Sequence, residues 1–131
     1  CTGFLVHKSS IEGWSGHYIK YGKRKAMEIA TLGCAVRVKL SRDKERIEDV
    51  RLGYGVAGPT PLRCREAEHG LKGRAVNDRE AILAFGKAAL KEVNPRSSWR
   101  ASKEFRLQLI EELSKRALAE AIKKAGGAVN A

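Results

Sequence analysis

Two runs of strict alternation constrain this chain more than any other feature. Cys34, Val36, Val38 and Leu40 alternate with Ala35, Arg37 and Lys39. Val50, Leu52, Tyr54 and Val56 do the same, with Arg51, Gly53 and Gly55 between them. A period of two puts each set on its own face of a strand, so both runs predict half-buried strands. Only a short charged turn, residues 41–46, lies near their junction, which predicts an antiparallel hairpin. A further strand is expected at residues 17–21. Residues 22–30 are compatible with a loop or a short helix. Gly58-Pro59-Thr60-Pro61 is expected to end the sheet, because proline cannot donate to a central ladder.

Beyond that point the period changes. Residues 63–71 fit one short helix. Asn77-Asp78-Arg79-Glu80 has the spacing of a capping box with Asn77 as cap. It should open a helix with Ile82, Leu83, Phe85, Ala89 and Leu90 on its apolar face, broken by Asn94-Pro95. The last helix is expected from about Ser102 to Lys124. Phe105, Leu109, Leu113 and Ala117 recur there at four-residue spacing, joined by Ile110 and Ala121. Lys123 and Lys124 suit the negative end of its dipole, and Gly126 can stop it. Sheet first and helices after is the pattern of an α+β domain. The expectation is a three-stranded antiparallel sheet followed by about three helices packed on one face. Residues 1–131 form one domain in this reading, with 1–13 as an irregular lead-in.

Gly53 and Gly55 share a strand face, and glycine there points to close approach by another backbone or a cofactor. A helix packed tightly on them is the preferred reading.

The net charge is +11, which favours nucleic acid, an acidic partner or an anionic cofactor. The run Lys23-Arg24-Lys25 could bind phosphate, but only Tyr18 and Tyr21 lie near it and no known nucleic-acid module matches. Cys1, Cys34 and Cys64 are odd in number and far apart, which argues against a disulfide framework and a zinc site. Cys34 is expected to be a small buried hydrophobe. His7, His17 and His69 have no ligand spacing, so no metal site is expected. No apolar run reaches the ~20 residues of a membrane span, and placement in the cytoplasm is expected. The chain begins with Cys1, and its only methionine is Met27, so a piece of a longer protein is expected.

Gly53-Tyr54-Gly55-Val56-Ala57-Gly58 matches a dinucleotide fingerprint letter for letter. Its glycines fall inside an alternating strand and open no helix, so the context is wrong. Lys20 is the more informative cation. It shares one side of its strand with Tyr18, and Tyr21 faces the other. A fixed ammonium there could donate to a carbonyl of a bound heterocycle and stabilise negative charge developing on it. Glu28 follows Arg24 by four residues and could pair with it if that stretch were helical.

These residues carry a resemblance. Lys20-Tyr21, Arg24 and Glu28, together with Val56-Ala57-Gly58-Pro59-Thr60-Pro61 and Arg100-Ala101-Ser102-Lys103-Glu104-Phe105-Arg106, resemble the C-terminal domain of the flavoprotein subunit of molybdenum hydroxylases. That is the family of xanthine dehydrogenase and carbon monoxide dehydrogenase. Many relatives carry Asp where this chain has Glu28. The resemblance implies an oxidoreductase complex in which this domain closes over the FAD ring. Lys20 and Tyr21 would then be cofactor-binding, Arg24 and Glu28 supporting, and no catalytic residue would lie in the isolated domain. It also implies an upstream FAD domain, an iron–sulfur subunit and a molybdenum subunit as partners. Phosphate-cradling glycine loops are absent, so the chain alone is expected to be inactive and to bind FAD weakly or not at all. The alternative, from a different class, is a basic nucleic-acid-binding module.

Overall fold

In the computed structural model, which describes residues 1–128, both alternating runs are strands. The sheet comprises β1 (Ser15–Tyr21), β2 (Leu32–Leu40), β3 (Ile47–Gly55) and β4 (Leu62–Arg63), all antiparallel and in chain order. Three helices follow: α1 (Arg65–Leu71), α2 (Arg79–Ala89) and α3 (Lys103–Lys124). A 3-10 turn at Lys8–Ser10 is the one regular element of the lead-in among the described residues. The fold is α+β, with four strands where the sequence predicts three.

The additional strand corrects the expectation that the prolines end the sheet. Pro59 and Pro61 lie in the turn after β3, and the chain then returns for two residues along its edge. So short a strand leaves no alternation to read. Its brevity is offset by Glu68 of α1. One carboxylate oxygen of Glu68 accepts the Leu52 N–H at 2.9 Å, and the Leu52 carbonyl accepts the Cys64 N–H at 2.9 Å. A side chain and a helix start thus continue the ladder where β4 stops, so β3 does not end as an open edge. Both oxygens of Glu68 also accept from Arg63, each at 2.6 Å.

Cys34, Val36, Val38, Val50, Leu52 and Tyr54 point to one face and are buried. The helices cover that face: α3 lies against β1 and β2, α1 against β3, and α2 against the other two helices. Leu109, Ile110, Leu113, Ala117 and Ala121 of α3 are buried there, as the four-residue spacing predicts. Phe105 is the exception and stays partly exposed. Ser102 caps α3 by accepting the Phe105 N–H at 3.1 Å, and Gly126 follows its end with φ +92°. The cap of α2 falls one residue later than predicted. Asp78 accepts the Ala81 N–H at 3.0 Å, and a carboxylate suits the positive helix end. Of its predicted apolar face, Phe85 and Ala89 are buried, Ile82 and Leu90 half-buried, and Leu83 exposed.

Val56 is a further correction. It lies beyond β3 with φ +68°, unusual for a β-branched residue, and is 38% exposed. The chain turns there, which brings Ala57 rather than Val56 into the core.

Candidate functional site

Among the described residues, the sheet's second face carries no helix. Gly53 and Gly55 lie on it, so no helix packs on them, contrary to the preferred reading. A Cβ added at Gly55 would meet nothing within 4 Å, and one at Gly53 would meet only the Leu62 carbonyl, at 3.5 Å. The register explains how they gather. Gly33 pairs with Gly55, and Ala35 pairs with Gly53, so the centre of the face is a floor of small residues. Tyr18 leans over Gly33, where a Cβ would come within 2.7 Å of its hydroxyl.

The floor lies under a shallow, open depression whose two ends overlap. One end, about 650 Å³, is lined by Tyr18, Ala35, Gly53, Arg37, Arg51 and Arg63. The other, about 490 Å³, shares Tyr18, Ala35, Gly53 and Arg63 and adds Gly33, Gly55 and Leu62. Trp14, in the lead-in, holds the Arg37 guanidinium 4.4 Å and the Arg51 guanidinium 5.5 Å from its ring centre. Arg37 also donates to the Ser10 carbonyl at 2.8 Å, and Arg51 to Asp49 at 3.0 Å. These arginines are therefore fixed. The sequence reading missed Trp14, Arg37, Arg51 and Arg63. The alternation in β2 and β3 did put Arg37 and Arg51 on the glycine face, which was the available signal.

Lys20 stands on this face, exposed, and makes no ion pair among the described residues. Its cross-strand partner is Gly33. Tyr18 and Lys20 share the bare face as predicted. Tyr21 faces the helices, half-buried, with its ring edge-on to Phe105 at 5.9 Å. The structure thus brings Lys20 to the small-residue floor and directs Tyr21 away from it.

Residues 22–30 form a loop with bends at 23–27, not a helix. Arg24 and Glu28 make no ion pair. The Glu28 carboxylate accepts the Arg24 backbone N–H instead, and a Cβ at Gly22 would lie 2.7 Å from it. Glu28 therefore shapes this loop through the main chain. The ends of the loop close where the Thr31 N–H donates to the Tyr21 carbonyl at 2.8 Å. Met27 has φ +53° and is 98% exposed.

Thiol chemistry finds no support. Burial pushes the Cys34 and Cys64 thiols up to about 12, against the opposing hydrogen bond from Tyr54 at Cys34. Tyr54 is likewise raised by burial, and its hydroxyl contacts Ser114 and the Ile110 carbonyl. Among the described residues, no three His, Cys, Asp or Glu side chains gather as a metal site, and no helix is long and apolar enough to cross a membrane.

The floor presents open backbone at Gly53 and Gly55, with the Tyr18 ring over Gly33, and Lys20 makes no ion pair beside it among the described residues. A pyrophosphate group does not find a cradle, because no glycine-rich loop here opens a helix.

Comparison with known proteins places the chain in a family. The chain is 45% identical over 113 residues to a xanthine dehydrogenase FAD-binding subunit of Escherichia coli O157:H7, covering 86% of this chain and 37% of that protein. It superposes on carbon monoxide dehydrogenase of Hydrogenophaga pseudoflava with TM-score 0.76 and 31% identity, covering 87% of this chain and 38% of that one. It shares its fold with quinoline 2-oxidoreductase of Pseudomonas putida 86, with TM-score 0.78 and 21% identity over 88% of this chain and 39% of that one. It spans little more than a third of the length of these relatives. Residues 17–121 match the family described as the CO dehydrogenase flavoprotein C-terminal domain, and the chain belongs to that family.

Proposed function

We propose that this chain is the C-terminal domain of the FAD-binding subunit of a xanthine dehydrogenase-like molybdenum hydroxylase, and that its bare sheet face closes over the flavin ring. The observation that carries the reading is the helix-free floor of Gly33, Ala35, Gly53 and Gly55, with the unpaired Lys20 beside it. FAD supplies a ring that takes up electrons and hands them on. Lys20 donates to the ring edge and favours negative charge there, which raises the flavin potential. Tyr21, packed on Phe105 on the helix side, would serve the site by anchoring the strand end that carries Lys20 rather than by lying under the ring. Glu28 and Arg24 support the site by shaping the loop that follows. The arginines around the depression suit an upstream domain carrying an anionic cofactor.

In the whole complex, electrons would pass from iron–sulfur clusters through FAD to NAD or another acceptor, with substrate hydroxylation on a molybdenum subunit. The assembly is proposed to be cytoplasmic. The domain by itself should be inactive and bind FAD weakly, since the phosphate loops belong upstream. The test is the visible absorbance of the full-length subunit, with and without its upstream region. A flavin spectrum that needs the upstream region is expected. A colourless full-length protein that retains nucleic acid at low salt would overturn the reading in favour of a basic binding module.

A further inference from the structure

We propose that Arg106 is a positioning residue for the flavin-facing end of the sheet: its guanidinium clamps the loop after Lys20 to the segment that leads into α3. The inference rests on the flavin reading above for its functional consequence, but its geometry is independent of it.

Arg106 lies in the first turns of α3 and is only 2% exposed. No carboxylate among the described residues pairs with it. Its partners are neutral oxygens from two separate segments. Nε donates to the Thr31 carbonyl at 3.3 Å, Nη1 to the Arg96 carbonyl, and Nη2 to the Ser98 hydroxyl at 2.9 Å. Burial, and then the like charges of Arg96 and Arg100, lower its pKa, yet a guanidinium stays protonated.

Such a group costs the fold free energy. An apolar side chain in its place would leave the Thr31 and Arg96 carbonyls and the Ser98 hydroxyl without their donor. The Thr31 hydroxyl beside this cluster adds to the cost, being buried with no hydrogen-bond partner among the described residues. Three neutral acceptors need donors rather than a charge, so satisfying them does not by itself account for a cation here. Its planar fork does, because it reaches carbonyls on two segments at once, which neither Met nor Lys can reproduce.

The clamp acts on the loop that carries Lys23-Arg24-Lys25. Phe105 holds the Tyr21 ring at the loop's start, and Arg106, next along the helix, holds Thr31 at its end. Tyr21 and Thr31 are bonded to each other through the main chain. Adjacent residues of α3 thus grip both ends of the loop and fix the strand end from which Lys20 projects.

Trypsin cleavage and the flavin midpoint potential of the full-length subunit test this together. Cleavage at Lys23 to Lys25 should quicken about tenfold in Arg106→Met, the equivalent of one hydrogen bond to a charged group. The potential should move in the same direction as in Lys20→Met, and Arg106→Lys should recover part of both effects. If Arg106→Met does not fold, Ser98→Ala removes one acceptor and should produce smaller shifts of the same sign. Wild-type values for both readouts in the folded variants would overturn the clamp. Faster cleavage with an unmoved potential, in a subunit whose potential does respond to Lys20→Met, would overturn the positioning role. A potential that responds to neither variant would sink the flavin reading, and the cleavage rate would still decide the clamp.

Discussion

The two faces of one sheet differ in almost every physical respect. The helix-covered face is lined by Cys34, Val36, Val38, Val50, Leu52 and Tyr54, all buried. Its polar groups are paired within the domain, as Tyr54 with Ser114 and Ile110. The bare face has glycine and alanine where larger side chains could have been, with arginines around them and Lys20 across from Gly33. Glycine weakens a strand, and nothing inside this domain needs Gly55 to lack a side chain. The covered face is complete in itself; the bare face is shaped for a body that this domain does not contain.

The contrast can be broken from either side. The largest effect is expected at Glu68, which joins α1, β3 and Arg63. Glu68→Ala leaves the Leu52 N–H and Arg63 without their acceptor and should destabilise the domain by about 3 kcal/mol in urea unfolding. A loss too small to measure would mean that the edge of β3 is held otherwise. Tyr54→Phe removes one buried hydroxyl while Ser114 keeps its bond to Ile110, so about 1 kcal/mol should be lost. At Gly55 the prediction reverses. Gly55→Ala should leave stability unchanged or raise it by up to ~1 kcal/mol, since no atom is displaced and the unfolded chain loses freedom. Gly55→Leu should equally fold, yet weaken FAD binding by the full-length subunit roughly tenfold, about 1.4 kcal/mol. Unchanged affinity would remove this glycine from the contact.

Much of the covered face was legible in the sequence. Alternation announced β2 and β3, and four-residue spacing announced α3, because both elements bury one face and leave the other wet. What could not be read depended on partners distant in the chain. β4 is too short to show a period, and Glu68, which extends its role, is on a helix. Val56 looked apolar and in phase, but the chain turned at it. The glycines of β3 were visible, while the side on which the helices would pack was not. The strand face that Lys20 shares with Tyr18 was legible from the alternation. Tyr21 was placed on the opposite side correctly, but its packing against Phe105 joins residues far apart in sequence. Arg106 stands four residues before Ile110 and seven before Leu113, in line with the buried stripe, but its charge argued for an exposed place.

The account turns on Lys20 meeting the flavin ring. The most direct measurement is the midpoint potential of FAD in the full-length subunit, wild type against Lys20→Met. A lower potential in the variant, with the protein equally folded, is the predicted result. Identical potentials in two equally folded, flavin-loaded proteins would contradict it.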